Sequence, residues 1–94
     1  FELKKAHDLA NEYIVNRKYE KIPHSIGHGV GLQVHELPWL SPYSEGKLKP
    51  GTIITIEPGI YVPEIGGIRI EDTAVITMDG IKTLTNSSKE LIVV

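Results

Sequence analysis

Cysteine is absent from the 94 residues, so the chain has no disulfide framework and no thiolate metal site, and zinc ribbons are excluded. Long apolar runs are missing as well. None approaches the ~20 residues that cross a bilayer, and the N-terminal stretch lacks the charged-then-apolar pattern of a signal peptide. Neither sign of charge dominates: ten Lys and Arg against twelve Asp and Glu give a formal net charge of −2, and no basic stripe offers the footprint that nucleic acid requires. These absences predict a soluble, cytoplasmic protein with neither nucleic acid nor membrane as partner.

What remains is ordinary globular composition, 40% hydrophobic and 23% charged, enough for one domain at most. The chain opens at Phe1 without an initiator methionine and already inside a helical pattern, which predicts a piece of a longer protein. From Phe1 to about Lys18, Leu3, Ala6, Leu9, Ala10, Tyr13, Ile14 and Arg17 recur at three- and four-residue steps, the spacing of an amphipathic helix. Gly27, Gly29 and Gly31 then alternate with His28 and Val30, a pattern that disfavours helix and predicts a strand with loop-like ends. Between Leu37 and Gly51 the prolines, Gly46 and polar residues predict a long surface excursion around Trp39 and Tyr43. From Thr52 onward β-branched runs separated by Pro and Gly predict antiparallel sheet, with an Asp79-Gly80 turn and a last strand in Leu91 to Val94. The fold class is therefore α/β of the α+β kind: one N-terminal helix followed by a mostly antiparallel, curved sheet.

A turn over Pro63 to Gly67, centred on Glu64, pairs residues whose numbers sum to 128, and 57 + 71 meets that sum. Thr55, Glu57, Gly59, Arg69, Glu71 and Thr73 then share one face, while Ile54, Ile56, Ile60, Ile68, Ile70 and Ala74 share the other. A one-residue slip would send isoleucines to the wrong side, so the pattern itself selects the register. Pro58, which has no amide donor, predicts an irregularity beside Glu57. Opposed glutamates repel, so something positive belongs between them: a shared proton, Arg69, or a metal ion. Three of the four histidines, His24, His28 and His35, fall in the nearby glycine-rich stretch and could supply imidazole donors. A solvated sheet face for the glutamates and a structural ion pair for Arg69 stay open at this point. Trp39 and Tyr43 fit a packed loop as well as a substrate wall, and His7 on the helix is assigned no role.

Taken together, HSIGHGVGLQVHELP and ITIEPGIYVPEIGGIRIEDT resemble the C-terminal half of the pita-bread metallopeptidases, nearest to the Xaa-Pro dipeptidases (prolidases) and aminopeptidase P. The resemblance runs from about Ile22 to the end. It implies two divalent metal ions (Mn, Co, Zn or Fe), held by two Asp of the N-terminal half, one His and two Glu, with a bridging hydroxide that attacks the carbonyl of an Xaa-Pro bond. Residue by residue it implies His28, Glu57 and Glu71 as metal ligands and Glu57 also as proton shuttle. It implies His24 and His35 as catalytic, substrate-binding histidines and Arg69 as the arginine beside the metals. The implied substrates are peptides with proline at the second position, and the implied full-length assembly is a homodimer.

Asp8 is the one aspartate before His28 and lies on the helix, so the family's two aspartate ligands have no counterpart. Residues 1–94 are therefore expected to be a partial catalytic domain, inactive alone. Three retained ligands argue against a metal-free creatinase-like hydrolase and against a non-catalytic interaction domain. The GGIRIED string argues against methionine aminopeptidase.

Overall fold

The computed structural model describes residues 1–94, and its elements follow the expected order of one helix and then strands. Helix α1 spans Leu3–Asn16 and buries Leu3, His7 and Ile14, with Ala6 and Ala10 against the core. The buried stripe is narrower than the periodicity predicts, because Leu9 and Tyr13 stay exposed. The helix stops in a Schellman turn: Lys18 enters the left-handed region at φ 69°. Its amide donates to the Val15 carbonyl while the Tyr19 amide donates to that of Ile14. Asn11 reaches from the helix to accept the Ile22 amide at 2.8 Å, tying the following segment to it.

Strands β1 (Gly27–Gly29), β2 (Glu36–Leu40), β3 (Ile53–Ile56), β6 (Asp72–Ile76) and β7 (Ile81–Thr83) form one sheet in the order β2-β1-β3-β6-β7. Strands β4 (Gly59–Val62) and β5 (Gly66–Arg69) form a separate two-stranded ribbon. Every pairing is antiparallel. Ile54↔Ala74 and Thr55↔Thr73 pair in the large sheet, and Ile60↔Ile68 and Gly59↔Arg69 pair in the ribbon. The register sum of 128 therefore holds through both. The single hairpin read from the sequence is instead two ladders. They separate at Glu57-Pro58 and Ile70-Glu71, where proline cannot donate and the Glu57 amide turns to the Ile26 carbonyl at 2.6 Å. The core gathers Leu3, Ile14, Ile22, Ile26, Leu40 and Ile54 between α1 and the apolar face of the sheet.

Four expectations are corrected. The excursion from Leu37 begins as β2, an edge strand that tolerates Pro38 and seats Leu40 in the core. Leu91 to Val94 form no strand and stay exposed, since no neighbouring edge pairs with them. The two faces of the hairpin are not simply wet and dry: Thr55 is buried, whereas Ile68 and Ile70 are exposed, because they border an open cleft between the ribbon and Ala10, Tyr13 and Ile14 of α1 that no side chain fills. The turn after β6 is longer than Asp79-Gly80 alone, since β6 ends at Ile76 and the Thr77 amide closes onto the Gly80 carbonyl at 2.9 Å.

Candidate metal centre

Strand β1 is threaded between β2 and β3, and glycine is what lets it fit. A Cβ on Gly27 would stand 2.9 Å from the Thr55 carbonyl carbon, and one on Gly29 would stand 2.6 Å from that of Leu37. Neighbouring backbones thus close on both sides of His28, and its side chain has one way out. The His28 amide donates to the Thr55 hydroxyl at 3.1 Å, which fixes the strand at the level of Glu57.

The rings are oriented from behind. The Nδ1 of His28 lies 2.9 Å from the Gly29 carbonyl. A carbonyl only accepts, so Nδ1 carries the proton, and in the neutral ring Nε2 keeps its lone pair. That Nε2 faces the Glu57 carboxylate at 3.7 Å. His24 repeats the device: Nδ1 donates to the Ser25 carbonyl at 2.7 Å, and Nε2 accepts the Tyr61 hydroxyl at 2.6 Å. His35 returns over the site after the loop, its ring centroid 4.4 Å from that of His28 and stacked on Trp39 at 6.2 Å with an 11° interplanar angle. Its ring nitrogens make no hydrogen bond within the chain, so both are free.

At the break between the ladders Glu57 and Glu71 come together as the register requires. Glu71 as a residue is exposed, yet partial desolvation of its carboxyl and then the neighbouring Glu57 charge push its pKa above the ordinary range, with the Arg69 charge pulling it back. Two carboxylates and a lone-pair nitrogen pointed at one of them form an arrangement that a cation resolves. No three His, Asp or Glu side chains of this chain close into a cage by themselves. The His28 Nε2 faces Glu57, which neighbours Glu71, and an imidazole with carboxylates is donor chemistry of the kind that holds Mn, Co, Fe or Zn. Their chemistry fits a divalent ion.

His24, His28, His35, Glu57 and Arg69, with Ser25 and Trp39, line one cleft of about 370 Å³; Glu71 lines a separate cleft with Asp72, Thr85 and Lys89, and Arg69 borders both. A larger apolar cavity of about 590 Å³ lies on the other face, between α1 and Ile54, away from these groups. Tyr61 is the site residue that motif reading missed. Strand alternation carried it in plain view, since positions 57, 59 and 61 share a face. Asp72, next to Glu71, belongs to a separate cluster: it accepts the Thr85 hydroxyl and pairs with Lys89 at 3.2 Å. The Thr85 hydrogen bond, with Lys89 behind it, holds its carboxyl below the usual range.

The sequence profile of Metallopeptidase family M24 matches residues 1–78. An Xaa-Pro dipeptidase of Pyrococcus horikoshii is 53% identical over 90 residues, 95% of this chain and 26% of that protein. Two solved structures carry the same fold. The prolidase from P. horikoshii superposes with a TM-score of 0.91 at 51% identity, over 97% of this chain and 26% of its own. The X-Pro aminopeptidase from Thermotoga maritima superposes at 0.94 and 37% identity, over 99% of this chain and 27% of its own. The fold is thus the pita-bread fold of the prolidases, and the chain spans about a quarter of the length of the relatives it matches.

Proposed function

Starting from the fact that this chain belongs to Metallopeptidase family M24, we propose that it is the C-terminal part of the catalytic domain of an Xaa-Pro peptidase. In this reading residues 1–94 are part of that domain, His28, Glu57 and Glu71 supply part of a two-metal site, and two aspartates outside these residues supply the rest. The observation that carries the reading is the junction of the ladders. Glu57 and Glu71 are held side by side there, with the bare Nε2 of His28 3.7 Å from Glu57.

When bound, divalent ions supply Lewis-acid polarisation of the scissile carbonyl and an ionised water near neutral pH. The chain's own residues do the rest. Glu57 takes the proton of the attacking water and delivers it to the departing proline nitrogen, which is general acid–base work at hydrogen-bond range. His35, with free ring nitrogens, donates to the developing oxyanion, and removal of one such donor costs ~3 kcal/mol in the barrier. Arg69 makes no direct ion pair with either glutamate, and its charge steadies the Glu71 carboxylate from beside the cleft. His24, braced by the Ser25 carbonyl and Tyr61, binds substrate at the rim of the cleft and exchanges the Tyr61 hydroxyl for a substrate group. Peptides with proline at the second position are the substrates, the whole enzyme works as a homodimer in the cytoplasm, and the 94-residue chain alone is inactive.

The test is Glu71→Gln in the whole enzyme, assayed for Xaa-Pro hydrolysis and metal content. Both fall, activity by at least ~100-fold on the scale of losing one oxyanion-type electrostatic group. Undiminished activity would remove Glu71 from the site.

A further inference from the structure

The cleft that holds His28 and Glu57 is lined almost wholly by polar and charged side chains, and Trp39 is its one hydrophobic wall. Its position is built in. Trp39 is the direct cross-strand partner of His28 in the β1–β2 pairing, so the two side chains emerge on the same face. The indole centroid lies 5.5 Å from the His28 ring, and its plane runs nearly parallel to that of His35. With those neighbours in place, 40% of the residue still faces outward, leaving a flat apolar surface beside the residues assigned to the chemistry.

Resting on the reading above, we propose that Trp39 is a specificity-determining residue whose indole face receives the pyrrolidine ring of the substrate's proline. An Xaa-Pro substrate must place a compact, puckered, apolar ring next to the scissile carbonyl. The polar remainder of the cleft offers that ring nothing, whereas an aromatic face offers dispersion contact and C–H to π attraction at little conformational cost. Stacking on His35 holds the indole in place, so the surface is formed before substrate arrives. His35 and Trp39 thereby divide the labour, one engaging the carbonyl oxygen and the other the ring that follows it.

The experiment compares Ala-Pro with Ala-(N-methyl)alanine, which keeps the tertiary amide and opens the ring, and adds Leu-Pro to vary the first residue. In the whole enzyme, Trp39→Ala lowers kcat/KM for Ala-Pro by about 10- to 100-fold, the discrimination an apolar contact can supply, mainly through KM. On Ala-(N-methyl)alanine its effect stays within roughly threefold, Trp39→Phe recovers most of the Ala-Pro rate, and metal content does not change. An equal loss on the closed and opened rings, a loss carried by kcat together with metal, or a shift in the Leu-Pro to Ala-Pro ratio instead would overturn the proposal while leaving the peptidase reading intact. A wild-type enzyme that cleaves none of the three overturns both.

Discussion

Two stretches of one ladder behave differently. Strands β3 and β6 and strands β4 and β5 obey the same register about Glu64. The first pair is central in a five-stranded sheet under α1, whereas the second stands as a separate two-stranded ribbon. Ile54 is 1% exposed and Ile68 59% exposed, although both sit on the isoleucine face. The pattern of residues is shared, and the covering is not. Between the two lies the junction where pairing lapses, and the acidic pair stands there. A continuous ladder would hold Glu57 and Glu71 as an ordinary repelling cross-strand pair. The lapse frees the Glu57 amide to bond Ile26 and brings the carboxylate to face His28.

Three measurements can break or sharpen this contrast. Ile54→Ala is expected to lower unfolding free energy by about 2–5 kcal/mol in chemical denaturation, as cavity-forming core truncations do. The same change at Ile68 should stay within about 0.5 kcal/mol, as exposed substitutions do. Equal losses would show that the ribbon is as well packed as the central pair. Gly27→Ala drives a methyl group onto the Thr55 carbonyl and should cost about 1–3 kcal/mol as overpacking. It should also weaken metal uptake, because β1 must shift and carry His28 with it. Unchanged stability and metal affinity would mean that the close approach is not what holds the histidine.

The smallest effect is a pH dependence with opposite signs at adjacent residues. Glu71 is pushed upward on folding, so its ionisation in the metal-free protein weighs against the fold, and stability falls as pH rises through the carboxylate range. Asp72 is held down by Thr85 and Lys89, so it contributes stability that is present above its unfolded pKa and lost as pH falls through the folded one. In unfolding midpoints followed against pH, Glu71→Gln should remove the decline on the rising side, and Thr85→Val should weaken the loss on the acid side. Identical profiles for Glu71→Gln and wild type would show that the two carboxylates do not oppose each other.

Much of the site is legible in the sequence. Alternation of isoleucine with polar residues pins the hairpin register, and the register alone puts Glu57 opposite Glu71. The glycine spacing around His28 announces a strand that other backbones approach. Strand β2 is hidden in the sequence because its middle and its exit read as loop: Pro38 is a strand breaker everywhere but an edge, and the following Ser41-Pro42 is turn chemistry. Alternation puts Tyr61 on the face of Glu57, but its partner His24 lies 37 positions earlier and no local pattern links the two.

By itself, the order of residues determined the helix, the strand register and the meeting of two carboxylates, since each follows from a period of 3.6 or 2 acting over a few neighbours. The tertiary structure alone decided which isoleucines are covered, that His35 folds back onto His28 and Trp39, that Tyr61 meets His24, and which nitrogen of His28 is left bare. Those outcomes depend on β1 lying between β2 and β3. That placement satisfies backbone hydrogen bonds and burial for the whole sheet at once, and no window of sequence contains it.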